Sequence, residues 1–115
     1  APTQTDFLTA GTWNGQGIYY AGQNFTTEFA EIGYDIRKFS MKFEKSGNFI
    51  STYDGDSENG KWVFANNEKT IFLNQGTADE FELRVKKLDA QDLYIEYTIE
   101  DDGVEYILEE RFKLN

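Results

Sequence analysis

The chain has 115 residues, enough for one domain, with 11 basic against 21 acidic residues, a net charge of -10, and neither His nor Cys. That charge repels nucleic acid and anionic membrane surfaces and makes cations or basic proteins the easier partners. Without His and Cys, Ser-His-Asp and Cys-His mechanisms and any disulfide framework are excluded and the commonest metal ligands are missing, so neither an enzyme nor a cofactor protein is expected.

Residues 1–10 read as a leader and closing turn: Ala1 to Asp6 as a flexible leader, Phe7 and Leu8 as residues able to plug one end of the domain that follows. Residues 11–115 read as one all-β domain. Aromatic residues make up 17% of the chain, and such bulky groups suit half-buried strands. Turn signals recur at Ser46-Gly47-Asn48, Asp54 to Gly60, Ala65 to Glu68, Asn74 to Asp79, Asp89 to Asp92 and Glu100 to Gly103. They delimit eight strands at about 11–20, 35–45, 48–54, 60–65, 69–74, 80–88, 92–100 and 103–113. Within them apolar residues alternate with polar ones. Phe39, Met41 and Phe43 share one face, as do Phe81, Leu83 and Val85, and Leu93, Ile95, Tyr97 and Ile99. One face is therefore core and the other water.

The long connection at 21–34 has two readings. Phe25, Phe29 and Ile32 fall at helical spacing before Gly33, which predicts a short lid helix, whereas Phe25, Thr27 and Phe29 alternate as an extra strand would. Eight antiparallel strands with short turns leave two exposed edges unless the sheet closes, so an up-and-down meander barrel is the economical fold, with a β-sandwich as the alternative. No apolar run approaches the roughly 20 residues of a membrane helix, and the expectation is a soluble monomer.

Gly11-Thr12-Trp13 resembles the first-strand motif of the lipocalins, and Arg111 stands in the last strand where that family keeps a basic partner for the Trp. Phe43 to Phe49, and Gly60-Lys61-Trp62 followed by Lys69 to Leu73, resemble the hairpins of small bacterial lipocalin-like domains. The resemblance covers most of residues 11–113. It implies a calycin-type barrel and a secreted, periplasmic or surface-exposed location, often as a lipoprotein. It also implies a structural role for Gly11, Trp13 and Arg111, with the guanidinium packed on the indole, and a closed meander does lay the end of the last strand beside the start of the first. The chain lacks the disulfide cysteines of larger lipocalins, and its short strands argue against a large cavity.

Meander connectivity gathers the loops at 21–34, 54–60, 74–80 and 100–103 at the end opposite Trp13. About half of the acids lie in or beside them, whereas Lys45, Lys69, Lys86, Lys87 and Lys113 mark the other end. The expected function is non-enzymatic binding of a small apolar or aromatic molecule, neutral or cationic, at this acidic open end, with Tyr19, Phe29, Arg37, Tyr53 and Tyr97 as candidate ligand-binding residues. Gly15 and Gly17, on the face of Trp13, either leave volume inside or let the strand coil at a barrel corner. The alternative is a protein-interaction or assembly module with a filled interior, whose exposed apolar patch would be Phe72, Tyr94 and Ile107. A carboxylate-dependent hydrolase is a third, weaker reading.

Two motifs carry chemistry only in part. Asp54 to Gly60 places oxygen donors at alternate positions as a Ca²⁺ loop does, but Gly60 falls one place late and Ala65 stands where a bidentate Glu is needed, so an acidic hairpin is expected. Parity turns Glu110 inward with Leu108 and Phe112, and Arg37 inward with Phe39 and Met41. Each is a candidate buried recognition group, with a strand bulge or an end-of-barrel salt bridge as the structural alternative.

Overall fold

A computed structural model describes all 115 residues. The first structured element is a helix in the expected flexible leader: α1 (Gln4–Leu8) begins at a capping box, in which the Thr3 hydroxyl accepts from the Asp6 amide and the Asp6 carboxylate accepts from the Thr3 amide. Two otherwise unpaired backbone donors are satisfied in this way. The strands follow as β1 (Thr12–Tyr20), the two-residue β2 (Gln23–Asn24), β3 (Phe39–Phe43), β4 (Asn48–Tyr53), β5 (Asp56–Ala65), β6 (Thr70–Leu73), β7 (Phe81–Leu88), β8 (Asp92–Asp101) and β9 (Val104–Leu114). The 21–34 connection satisfies both readings of its sequence, because β2 pairs on the end of β1 and is followed at once by α2 (Thr26–Glu31).

Every pairing is antiparallel, the long strands pair in chain order from β1 through β3 to β9, and β1 pairs with β9 as well. Eight long strands thus close into an up-and-down barrel with no open edge between β1 and β9. The tight turns follow their sequence signals. Asp54-Gly55 and Asp102-Gly103 all have positive φ, between 51° and 89°. That pair of left-handed residues is the two-residue hairpin turn whose twist matches antiparallel strands, and Gly takes the second position without steric cost. The Asp54–Gly60 stretch is consequently only a two-residue turn. β5 starts at Asp56 and pairs back along β4 through Tyr53–Asp56 and Thr52–Ser57, so its oxygen donors alternate sides of a strand instead of converging.

The base is packed solid. Leu8, Trp13, Phe43, Ile71, Leu93 and Phe112 are essentially without solvent contact, and the Trp13 indole donates to the Leu8 carbonyl at 2.9 Å. Asp6 of α1 pairs with Lys45 of the β3–β4 turn at 3.1 Å. Burying a leucine side chain contributes about 1.5–3 kcal/mol, so Leu8 makes α1 an integral plug. Gly11 follows three residues later, where a Cβ would lie 3.4 Å from the Leu114 side chain.

Two irregularities in the first third of the chain set the upper half. The β1–β9 register slips between Gly15 and Gly17, and an extra residue at a bulge reverses which side chains face inward. Beyond it Ile18 is buried and Tyr19 points outward. Between α2 and β3, a 3-10 turn (Ile36–Lys38) crosses β1, and a Cβ on Gly15 would lie 2.1 Å from the Ile36 carbonyl oxygen. The space left by Gly15 is therefore filled by the Ile36 backbone and adds nothing to the interior.

Candidate functional site

Above the base the barrel is hollow. A cavity of about 240 Å³ is lined by Tyr34, Phe39, Met41, Phe49, Ser51, Leu73, Phe81, Leu83, Ile95, Tyr97 and Glu110. Its wall comes from the inward positions of β3, β4 and β6–β9, where strand alternation places one side chain in every two. The cavity reaches the mouth at Phe81, which is 40% exposed.

One charged group stands in this apolar wall. Glu110 of β9 is only 3% exposed, and its Oε2 accepts hydrogen bonds from the Tyr97 hydroxyl at 2.7 Å and the Tyr34 hydroxyl at 3.1 Å. Removal from water raises its pKa above the ordinary carboxyl value, and the two hydroxyls oppose that rise without a cation to help them. The tyrosines respond in the same sense. Burial first, then the neighbouring carboxylate, pushes both phenols far upward, so each remains a protonated donor.

Tyr34 comes from the loop after α2 and is held by Tyr53. The two rings stack with centroids 5.6 Å apart and planes 22° from parallel. The Tyr53 hydroxyl accepts from the Asp35 amide at 2.9 Å, which pins the loop at the next residue. Tyr53 thus sits at the inner rim and positions a residue of the site, while Tyr97 lies in the cavity wall itself.

The other expected binding residues lie elsewhere. Tyr19 is outside, because the β1 bulge inverts the parity on which the inward reading rested. Its ring carries the Arg111 guanidinium at 3.9 Å, with Tyr94 on the same guanidinium at 4.6 Å. Arg111 therefore does not pack on Trp13. It faces outward opposite Gly17 and bonds Glu109 at 2.6 Å, while Trp13 faces inward opposite Leu114. Arg37 is also outside the cavity: its segment is a 3-10 turn, not a strand, so alternation with Phe39 and Met41 does not apply, and its guanidinium is turned back on Asp35 at 2.8 Å.

Phe29 packs onto the core from α2 and lines a second, shallower hollow of about 490 Å³ with Tyr20, Phe25, Ile32, Ile99, Tyr106 and Leu108. The helix above it is anchored at one end. The Thr26 hydroxyl accepts from the Ile18 amide at 3.0 Å, just beyond the bulge, and donates to Asn24 at 2.6 Å. This hollow has acids on its rim, Glu100 and Asp101, and none of the buried polar residues, Thr26, Thr70 and Glu110, lines it.

No protein-family model matches this sequence, and no curated protein matches it. By structure, the chain is similar to a crystal structure of a DUF4847 family protein from Bacteroides vulgatus, with a TM-score of 0.64 and 14% identity over 98% of each chain. The likeness shows the fold, a closed eight-strand antiparallel barrel consistent with a calycin-like architecture.

Of the three polar groups that meet in the site, Tyr97 is an expected ligand-binding residue, Glu110 is an expected buried recognition group, and Tyr34 is marked by nothing in the sequence. The parity of Glu110 with Leu108 and Phe112 pointed inward and was the available signal. Tyr34 stands in an aperiodic loop, where no alternation marks direction.

Proposed function

We propose that this protein is a non-enzymatic small-molecule binder, taking an apolar or aromatic molecule, neutral or cationic, into the mouth half of the barrel. The observation that carries the reading is the hollow itself, an apolar cavity with a single buried carboxylate fixed by two hydroxyls. Binding sites are typically apolar surfaces with few convergent polar groups. At about 240 Å³ the space is below the roughly 300–1,000 Å³ of drug-sized sites, and it exceeds the ~150 Å³ that admits benzene in an apolar core. The ligand is therefore the size of one ring with a short substituent. Using a barrel in this way is lipocalin-like, and a secreted, periplasmic or surface-exposed setting belongs to the same proposal.

Binding without turnover is supported by the make-up of the site, in which Glu110 meets only the Tyr34 and Tyr97 hydroxyls and no second carboxylate or cation stands beside it. The interaction-module alternative has less support. Of its expected patch, Ile107 is 52% exposed, but Tyr94 is covered by Lys87 and Arg111 and Phe72 is half-buried.

The test is methyl NMR of Met41, Leu83 and Ile95 during titration with toluene, benzyl alcohol, benzaldehyde and benzylamine. Saturable shifts confined to those methyls, and abolished by a cavity-filling Ser51→Phe change, support the reading. Unmoved methyls in the wild-type protein overturn it.

A further inference from the structure

The two oxygens of Glu110 are not equivalent. Oε2 takes both tyrosine hydroxyls, and Oε1 takes no hydrogen bond from the protein. No fully buried side-chain oxygen anywhere in the chain lacks a partner, so Oε1 must be the part of this 3% exposed residue that is reached from the cavity it lines. It is a free acceptor aimed into an apolar space.

The charge around it is one-sided. Tyr34 and Tyr97 are the titratable groups that face Glu110, Tyr53 lies behind Tyr34, and no Lys or Arg acts on the carboxyl. The cations nearest the mouth are committed elsewhere: Arg37 to Asp35 at 2.8 Å and Lys38 to Asp54 at 4.0 Å, both on the outer surface. The mouth loops carry Asp54, Asp79, Glu80, Asp101 and Asp102, all exposed. Such a rim concentrates cations and repels anions.

Resting on the binding function proposed above, we infer that the ligand is a small primary amine whose ammonium group is held by Glu110 Oε1 while its apolar body fills the cavity among Met41, Leu83 and Ile95. The amine supplies what the folded chain withholds, a positive hydrogen-bond donor for a buried carboxylate. The tyrosines hold the carboxyl plane from the other oxygen, so the free one is presented in a fixed direction. A carboxylate ligand is rejected twice, by the rim and by Glu110. A neutral ring fits the space but leaves Oε1 unpaired.

The experiment compares toluene, benzyl alcohol, benzaldehyde and benzylamine by calorimetric and NMR titration at pH 7.5, on the wild-type protein and on Glu110→Gln. The side-chain amide of that variant keeps an oxygen for the two tyrosine hydroxyls and puts a donor where Oε1 was. Benzylamine is expected to bind about 10- to 100-fold tighter than toluene or benzyl alcohol, the range for a hydrogen bond to a charged group. That advantage should persist in 0.5 M salt, which screens the rim and not the cavity, and should vanish in Glu110→Gln while toluene still binds.

If toluene binds and benzylamine is no tighter, or its advantage survives Glu110→Gln, the amine assignment falls and the cavity reading stands. Benzaldehyde binding more tightly than benzylamine also overturns it, because a protonated Glu110 donating to a carbonyl would then be the recognition group. If none of the four probes binds the wild-type protein, both readings fall, and that outcome does not depend on how the variant folds.

Discussion

Tyr53 does not touch Glu110, yet it fixes how Glu110 is held: its ring lies flat on Tyr34, and Tyr34 donates to the carboxylate. A rim residue thereby controls a donor deep in the barrel. Removing either hydroxyl takes away a hydrogen bond that favours the charged carboxylate, so Tyr97→Phe and Tyr34→Phe should each raise the Glu110 pKa, Tyr97→Phe by more because its bond is the shorter. Tyr53→Ala, which leaves both hydroxyls in place but frees the Tyr34 ring, should move it in the same direction by less. The carboxyl ¹³C titration of Glu110 measures all three, and a fall in any of them contradicts the geometry.

The same carboxylate should leave its mark on stability. The folded-state pKa of Glu110 is raised above its ordinary value of 4.5, chiefly by burial. Its contribution is therefore fully present below that ordinary value and is lost as pH rises through the folded pKa. Asp6, Asp35, Asp89 and Asp92 run the other way, since hydrogen bonds lower their pKa values and their contribution is lost as pH falls through them. Glu110→Gln isolates the first effect. Its Tm relative to wild type should rise between pH 4.5 and pH 8, and a difference that stays constant across thermal melts in that window would remove Glu110 as its source.

At the base, Leu8→Ala should cost about 2–5 kcal/mol, as for other fully buried leucines. Trp13→Phe should cost about 1–3 kcal/mol, because it strands the Leu8 carbonyl without its donor. Urea unfolding followed by far-UV circular dichroism measures both. A value under about 0.5 kcal/mol for Leu8→Ala, the size of an ordinary surface substitution, would mean that α1 merely rests on the barrel.

Arg111 separates what the family resemblance implies from what the structure shows. A guanidinium stacked on the Trp13 indole would change its fluorescence when removed. Lying instead between Tyr19 and Tyr94 on the outer face, Arg111 should leave the tryptophan emission unchanged in Arg111→Ala and cost about 0.5–2 kcal/mol, the range for a cation over aromatic rings. A shifted emission maximum in the folded variant would restore the indole pairing.

Most of the barrel was legible because its signals are local. Phe39-Ser40-Met41-Lys42-Phe43 alternates, Asp102-Gly103 marks a hairpin turn, and closure follows from the number of strands. The site was less so, since direction in a barrel depends on parity and parity survives only while the register does. One extra residue at Gln16 turned Tyr19 outward, and a single 3-10 turn removed Arg37 from its strand. Thr3-Gln4-Thr5-Asp6 carried a capping signal, but its helix is too short for periodicity to announce. Tyr34 has no periodic neighbours at all; the carboxylate it bonds is 76 residues away along the chain, and the ring that holds it belongs to β4.

The plug at the base makes the cavity a cul-de-sac. With Leu8 and Trp13 closing one end, anything inside came in past the exposed Phe81 ring and must leave the same way. A change at that doorway which alters only the height of the barrier speeds or slows arrival and departure by one common factor. Residence time can thus be tuned at the rim without touching affinity, which is set deeper, beside Glu110.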